Sequence, residues 1–390
     1  MKIALVHDFL KEYGGAERVL EALHEIYPGA PVYTAFVNPV GLGPHWERIK
    51  KWDIRTSWVE QWWPVKALHS PLRFLAPLIW ESFNFDEYEV VISSSGWYIC
   101  RGILTKPETL HICYLHHPPR HLYGYKTALE WQRFWPVRAY GYLVNHYLRM
   151  YDYLAAQRVE YFIANSEETK RRIAKFYRRE SVVIYPPVKY QISNIPSARA
   201  QGEGKYQISK PKKYFLYVGR LARAKNIHLA IEACNKLGCQ LWVVGAGREE
   251  NDLKSIAGPT IKFLGQVSDK GLPEIYQGAK ALIFPAEDEE FGIVPVEAMA
   301  HGLPVIALRS GGVVESVVDS STSSEQGATG IFFDKPTVES LAKAIKSLDR
   351  LMVKPEDCKK QAKKFSKTIF KQKITDFVEE KLKEHHARIT

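Results

Sequence analysis

A chain of 390 residues is too long for one ordinary hydrophobic core and predicts two domains of common size. With 46% hydrophobic and 25% charged residues it reads as a packed globular protein, and no run of eighteen apolar residues occurs, so neither a disordered chain nor a spanning helix is expected. A formal charge of +11 points to a polyanionic neighbour such as nucleotide phosphate or an anionic membrane; no nucleic-acid module is present, and a nucleic-acid partner is not expected. The five cysteines (Cys100, Cys113, Cys234, Cys239 and Cys358) form no C-x-x-C pair and are odd in number, which argues against a disulfide framework and a zinc site and for a reducing cytosol.

The N-terminus, MKIALVHDFLKEYGG, lacks the apolar run of a leader and reads as a first strand entering a Gly loop. Further strands are predicted at Val32 to Val37, Glu89 to Ser94, Leu110 to Leu115, Tyr161 to Asn165 and Val182 to Tyr185, alternating with helical periodicity. That alternation predicts a doubly wound α/β domain over residues 1–185. Gly14 and Gly15 follow the first strand and precede a helix from about Ala16, so their amides can face a ligand at the carboxyl edge of the sheet. Neither G-x-G-x-x-G nor a P-loop occurs, which speaks against a NAD enzyme or ATPase.

Nine of the ten tryptophans precede residue 136, and Trp58, Trp62, Trp63 and Trp80 bracket a segment that also carries Lys66 and Arg73. Such a segment is either core filling, the favoured reading, or an aromatic and basic face for a lipid surface or a lipid-linked or carbohydrate acceptor. In CYLHHPPRHLYGY a strand runs into His116 and His117 before two prolines force an extended turn. A histidine there can exchange a proton with a sugar hydroxyl near neutral pH. Metal is the weaker reading of His111, His116, His117 and His121, because strand alternation separates neighbours and no carboxylate joins them. Helices are predicted from Ala128 to Gln157, and in FIANS the Asn and Ser read as a helix cap. The basic run Lys170 to Arg179 reads as a solvated helix face.

Residues 186–213, rich in Pro, Gly, Ser and Gln, are predicted to be a linker. A second alternating domain over 214–364 has strands near Tyr214 to Val218, Gln240 to Gly245, Ile261 to Leu264, Ala281 to Phe284, Pro304 to Leu308 and Gly330 to Phe333. Two Rossmann-like halves facing each other across a cleft is the expected architecture. Arg220 and Lys225, in VGRLARAKNI, put two cations at a strand end beside a helix start, where they can stabilise a diphosphate leaving group. In FPAEDEEFGIVPVEAMAHG a strand empties into an acidic loop and a helix opens near Pro295, which places Glu289 on the loop and Glu297 in the first helical turn. Amides from Phe291 to Val294 lie between them as phosphate donors. VVGAG is either a close-packed turn or a nucleotide approach, and the Gly pair at Ser310 to Glu315 reads as support for the acidic loop. Apolar residues at Phe365, Ile369, Phe370, Ile374 and Phe377 fit one buried helix face.

The spacing E-E-F-G-x-x-P-V-E-A-M-A-x-G resembles the Glu-x7-Glu signature of the retaining nucleotide-sugar glycosyltransferases of family 4, which have the GT-B fold. Arg220, Lys225, Glu289 and Glu297 match that family in order, and H-x-P-x-R from His116 to Arg120 resembles a motif of a bacterial subgroup that builds surface polysaccharides. There His117 replaces the usual Thr, and Lys189 stands where relatives often carry Asp. The resemblance implies a hexose, with mannose favoured, moved from a nucleotide-diphosphate sugar to a saccharide or lipid-linked saccharide; GDP-sugar is favoured over UDP-sugar. It implies catalytic roles for His116, Arg220, Lys225 and Glu289. Donor binding falls to Gly14, Gly15, Arg120, Gly219 and Val267, to the loop amides of Phe291, Gly292, Ile293 and Val294, and to Glu297. It implies a last helix, 365–390, that crosses back to the first domain. No D-x-D occurs, so neither metal nor cofactor is expected, the cations serving in the metal's place. A phosphorylase of the same fold and a non-catalytic nucleotide-sugar-binding protein are the competing readings. The expected location is the cytoplasm or the inner face of the membrane, with peripheral contact to anionic lipid.

Overall fold

The computed structural model describes residues 1–125, 134–188, 214–319, 327–348 and 353–389. The chain divides into two compact units: Met1–Pro187 with Lys367–Thr390, and Val188–Ser366. Of the stretch read as a linker, residues 189–213, Lys189 among them, lie outside the described residues, as do residues 128–133 of the helical region.

The first unit holds a seven-stranded sheet of β1 (Ile3–His7), β2 (Val32–Thr34), β3 (Ile54–Thr56), β4 (Val90–Ser95), β5 (Leu110–Leu115), β6 (Tyr161–Ala164) and β7 (Ser181–Val183). Its order is β3-β2-β1-β4-β5-β6-β7, and every neighbouring pair is parallel. Parallel strands need helical crossovers and are covered on both faces, which is why IALVH and LHICYL are buried at every position instead of alternating with polar residues. Among the helices are α1 (Gly15–Ile26), α2 (Trp135–Gln157) and α3 (Glu167–Tyr177). One face packs Leu5, Ile92 and Ile112 with Leu20 and Leu23 of α1; the other packs Val6 and Val91 with Phe36, Trp80 and Tyr98.

The second unit has a six-stranded parallel sheet of β8 (Tyr214–Val218), β9 (Leu241–Val244), β10 (Ile261–Gly265), β11 (Ala279–Phe284), β12 (Val305–Leu308) and β13 (Gly330–Phe333). The order β10-β9-β8-β11-β12-β13 again reverses direction about the first strand of the unit. Helices α4 (Ile227–Leu237) and α5 (Ile293–Ala300) follow β8 and β11. In both sheets the crossovers run outward in opposite senses from one strand pair, β1 with β4 and β8 with β11, and a crevice opens above the carboxyl ends of that pair.

The last helix, α6 (Lys367–Ile389), belongs to the first unit. Phe370, Ile374, Phe377 and Val378 enter the same cluster as Leu5 and Ile92, while Lys367 and Lys371 pair with Glu25 of α1. Two of the residues expected on one buried helix face lie elsewhere. Ile369 points to solvent, and Phe365 precedes the helix, packing in the second unit at 5.3 Å from Phe291.

The bracketed tryptophans part company. Trp80 is fully buried, its Nε1 donating to the Tyr98 carbonyl at 2.6 Å, and Trp58 is half-buried, whereas Trp62 and Trp63 stand exposed. Core filling therefore explains half of the set. The basic run on α3 is likewise mixed. Arg172 is buried, binding Glu168 at 2.9 Å and covering the Tyr125 ring, and Arg179 donates to the Val159 carbonyl at 2.6 Å.

Candidate functional site

At the carboxyl edge of the first sheet, polar side chains end strands that are otherwise apolar. His7 closes β1, Ser94 lies in β4 opposite it in the pairing register, and His116 follows β5 directly. Ser94 Oγ lies 2.8 Å from His116 Nε2 and 3.1 Å from His7 Nδ1, and His7 Nδ1 is also 3.1 Å from the Ser94 carbonyl oxygen. That carbonyl can only accept, so His7 Nδ1 carries a proton. The Ser94 hydroxyl, one donor with two acceptor lone pairs, bridges the two rings and holds the orientation of His116. At the far end His7 Nε2 is 3.5 Å from Glu17 Oε1, while Glu17 Oε2 accepts the Gly14 amide at 2.8 Å. All four side chains are buried. The chain from Gly14 through Glu17, His7 and Ser94 to His116 thus joins two positions that sequence alone placed separately.

Asp8, next to His7, accepts from the amides of Gly96, Tyr98 and Cys100, each at 2.9 Å, and so fixes the loop that follows β4. Asn165 donates to the His116 carbonyl at 2.9 Å; it was read as part of a helix cap, but only Ser166 caps α3, accepting the Thr169 amide. His117 Nδ1 faces the Pro118 carbonyl at 3.0 Å, and Arg120 opens a 3-10 turn, half-buried. His111 is sealed in the core against Ser93 Oγ at 2.8 Å, and burial, with Arg101 nearby, pushes its pKa down to about 3. Burial does the same to His121, helped by Arg73 and His117. Those two rings are neutral packing elements. Among the described residues no three His, Cys, Asp or Glu side chains converge as a metal cluster.

In the second unit most of the remaining candidates lie on the segments that follow β8 and β11. Gly219 leaves β8 with φ of +154, followed by an exposed Arg220 whose carbonyl accepts from Tyr217 Oη at 3.1 Å. Lys225 ends a 3-10 turn, and its Nζ lies 2.5 Å from Glu289 Oε2 on the loop after β11, with both side chains about three-quarters covered. Asn226, in the left-handed region at φ +49, ties the two loops together by donating to the Pro285 carbonyl at 3.3 Å. The acidic loop is also clamped from the β12 side. Ser310 Oγ accepts the Asp288 amide at 3.0 Å, and the Gly312 amide donates to the Glu289 carbonyl at 2.7 Å. A Cβ on Gly311 would fall 2.1 Å from the Glu289 carbonyl oxygen, and φ there is +71, so both space and conformation require glycine. VVGAG is close-packed: a Cβ on Gly245 would fall 1.9 Å from the Gly219 carbonyl oxygen.

Gly292, at φ +81, caps α5, which starts at Ile293 and not at Pro295. The first-turn amides of Ile293 and Val294 lie beyond the reach of intrahelical acceptors, as at any helix start, and the Phe291 ring beneath them is buried. The earlier start moves Glu297 one turn in, where Tyr276 Oη approaches its Oε2 at 3.5 Å. Glu289 and Glu297 therefore serve different ends of the segment, only the former paired with Lys225. Val267 follows the Gly265 end of β10, the outer strand on that side.

The Asp8, Glu17, His7 and Ser94 contributions were not among the sequence candidates. The one signal for His7, Asp8 and Ser94 is the placement of polar residues at the carboxyl ends of buried strands, IALVH-D and VVISSS, and Glu17 is marked by its place in the first turn of α1, three residues after Gly14.

Residues 199–365 match the family model for glycosyl transferases group 1. The chain is 26% identical to the alpha-1,3/1,6-mannosyltransferase ALG2 of Candida glabrata over 91% of its own length and 86% of that protein. It is 32% identical to human ALG2 over 36% of its length and 40% of the human protein. Among solved structures, Anabaena HepE in complex with UDP superposes with a TM-score of 0.67 at 18% identity, covering 97% of this chain and all of that one. Sucrose-phosphate synthase from Thermosynechococcus elongatus gives the same TM-score at 16% identity, over 97% and 99% of the two chains. The two parallel-sheet units are those of the GT-B fold, and the chain is a glycosyltransferase. The group 1 match falls on the unit that carries the Lys225–Glu289 pair.

Proposed function

We propose that this glycosyltransferase is a retaining, metal-independent hexosyltransferase of family 4 that moves mannose from GDP-mannose to a hydroxyl of a saccharide, free or lipid-linked, in the cytoplasm or at the inner face of a membrane. The observation that carries the reading is the Lys225–Glu289 pair at the β8–β11 crevice, with Arg220 two residues beyond β8. The ALG2 relatives support mannose as the hexose. UDP-sugar is the next donor in order, and a UDP-bound neighbour shares the fold.

In this reading Arg220 and Lys225 balance the charge that grows on the diphosphate as the glycosidic bond breaks, which is where stabilisation lowers a barrier. The amides of Ile293 and Val294 add donors at a helix start, Glu289 orients the donor sugar, and Glu297 accepts from the ribose hydroxyls. Gly219 and Gly292 let the backbone come close to the donor, and the backbone near Val267 meets the base. On the first unit Gly14 and Gly15 offer amides, Arg120 adds charge, and His116 serves the acceptor and transferred sugar. The acceptor oxygen attacks the anomeric carbon on the face the diphosphate leaves. The C–O electron pair departs with the phosphate oxygen, which takes the acceptor's proton, and configuration is retained.

Calorimetry against GDP, UDP, ADP and their sugar conjugates tests this. One diphosphate should bind, and Lys225→Ala should weaken it by roughly 10- to 100-fold, the scale of a charge-assisted contact. Absence of binding by all three, or binding indifferent to Lys225→Ala, would overturn the donor site. An inverted product anomer would overturn retention alone.

A further inference from the structure

Helix α2 buries one face and carries large apolar side chains on the other. Its inner face, Gly141, Asn145, Leu148, Asp152 and Ala155, is buried in the first unit. Its outer face repeats large apolar side chains at helical spacing: Trp135 and Tyr142 are each 74% exposed, Leu143 71%, with Tyr147, Met150 and Leu154 continuing the stripe. An exposed contiguous apolar stripe of this size ordinarily marks a surface that something covers. Beside it, Phe74, Leu75 and Leu78 meet Leu143, Val144 and Tyr147 around an open groove of about 430 Å³. Arg73 holds the two stretches together through Asn145 Oδ1 at 2.9 Å. Trp62, Trp63 and Leu78 on the first of these stretches are each more than 60% exposed.

The charges on the outer side of α2 are of one sign. Residues 61–80 contain no Asp or Glu but carry Lys66 and Arg73, and residues 134–157 carry Arg138 and Arg149 with a single acid, Asp152, which is fully buried against Arg101. The flanking acids Glu60 and Glu81 are engaged by Lys66 and Arg158. Exposed Trp and Tyr among aliphatic side chains, edged by Arg138 and Arg149 with the neighbouring acids already paired, is the composition that settles at the headgroup boundary of an anionic bilayer. A second copy is the poorer occupant, because a two-fold contact pairs this face with itself and so adds the copy's Arg138 and Arg149 to an interface whose outer α2 face has no carboxylate to answer them. Among the described residues no helix is long and apolar enough to cross a membrane, so the contact is one of lying on the surface.

We propose that the outer face of α2, with the groove it shares with residues 72–78, docks on an anionic phospholipid surface. The proposal is independent of donor chemistry and can fail or stand without it. The test is co-sedimentation of the full chain with phosphatidylcholine vesicles, with and without phosphatidylglycerol, for the wild type, Leu143→Glu and Arg138→Glu, each checked by thermal melting and light scattering. The wild type should pellet with the anionic vesicles only, less so as salt rises, and each variant should lose roughly tenfold in binding while melting as the wild type does. A wild type that stays in the supernatant with both vesicle types, or a Leu143→Glu chain that binds as well as the wild type, overturns the proposal. So does a wild-type dimer that Leu143→Glu dissociates without vesicle binding, which would assign the face to a second copy.

Discussion

Ser94 shows how much a small side chain can decide. One hydroxyl sits between two imidazoles, so Ser94→Ala removes the contact that orients the His116 ring while His7 keeps its bond to the Ser94 carbonyl. Turnover should fall by about 10- to 100-fold with an altered pH profile, while donor affinity measured by calorimetry stays at the wild-type value. A loss of donor affinity equal to the loss of rate would instead make Ser94 a structural residue. The neutral rings of His111 and His121 act on stability. Their folded pKa values lie near 3, below the 6.5 of an unfolded histidine, so between those values the unfolded chain binds the extra protons and stability drains away as pH falls. From pH 7 to pH 5 each ring should withdraw about 2 kcal/mol, and His111→Asn should flatten its share of that slope in denaturant titrations. Individual candidates such as Lys225, Glu289 and His116 were legible because charge and motif mark them in the sequence. Their partnership with His7 and Ser94 was not, because it depends on a register between β1 and β4 that spans 87 positions.

At the scale of elements, apolar runs located twelve of the thirteen strands, and β3 escaped. Ile54-Arg55-Thr56 has one aliphatic residue in three, and its strand character comes from pairing with Val32 to Thr34 at the sheet edge, a tertiary cause no local pattern records. Helix α5 was misjudged by two residues for a related reason. Proline suits any position of the first turn, so Pro295 could not say which one it held, whereas Gly292 at φ +81 marks the cap unambiguously once the backbone is known. The acidic loop shows elements holding one another. Gly311 lets the β12 loop touch the Glu289 carbonyl, and Gly311→Ala must strain its own backbone or push that loop away. The expected cost is about 2 kcal/mol in a denaturant titration, with a larger relative loss of transfer because the displaced residue carries the Lys225 partner. A variant equally stable and equally active would show that the loop moves aside freely.

For the molecule as a whole, the periodicity of the last helix was readable and the family resemblance implied its return to the first domain, while the particular side chains it meets there were not legible. Phe370, Ile374 and Phe377 complete a core begun by residues near the other end of the chain. The first unit is therefore discontinuous, and the second is a single span. A fragment of residues 188–366 should fold and melt cooperatively by itself. A fragment of residues 1–187 should be insoluble or molten until a peptide of residues 367–390 is supplied, which circular dichroism and dye binding would report. A soluble, cooperatively melting 1–187 fragment would show that α6 is an accessory to that core.

That interrupted ownership of the sequence has a meaning in time. Roughly 180 residues of the second unit separate the two parts of the first, and at about 5 to 20 residues per second a ribosome needs on the order of 10 to 40 seconds to make them. For that interval a nearly complete parallel sheet waits with part of one apolar face, beside α1, uncovered, while the unit made after it can finish. The order of synthesis and the order of completion are reversed, and the nascent chain spends its most adhesive moments as a half-built first unit carrying a finished second one.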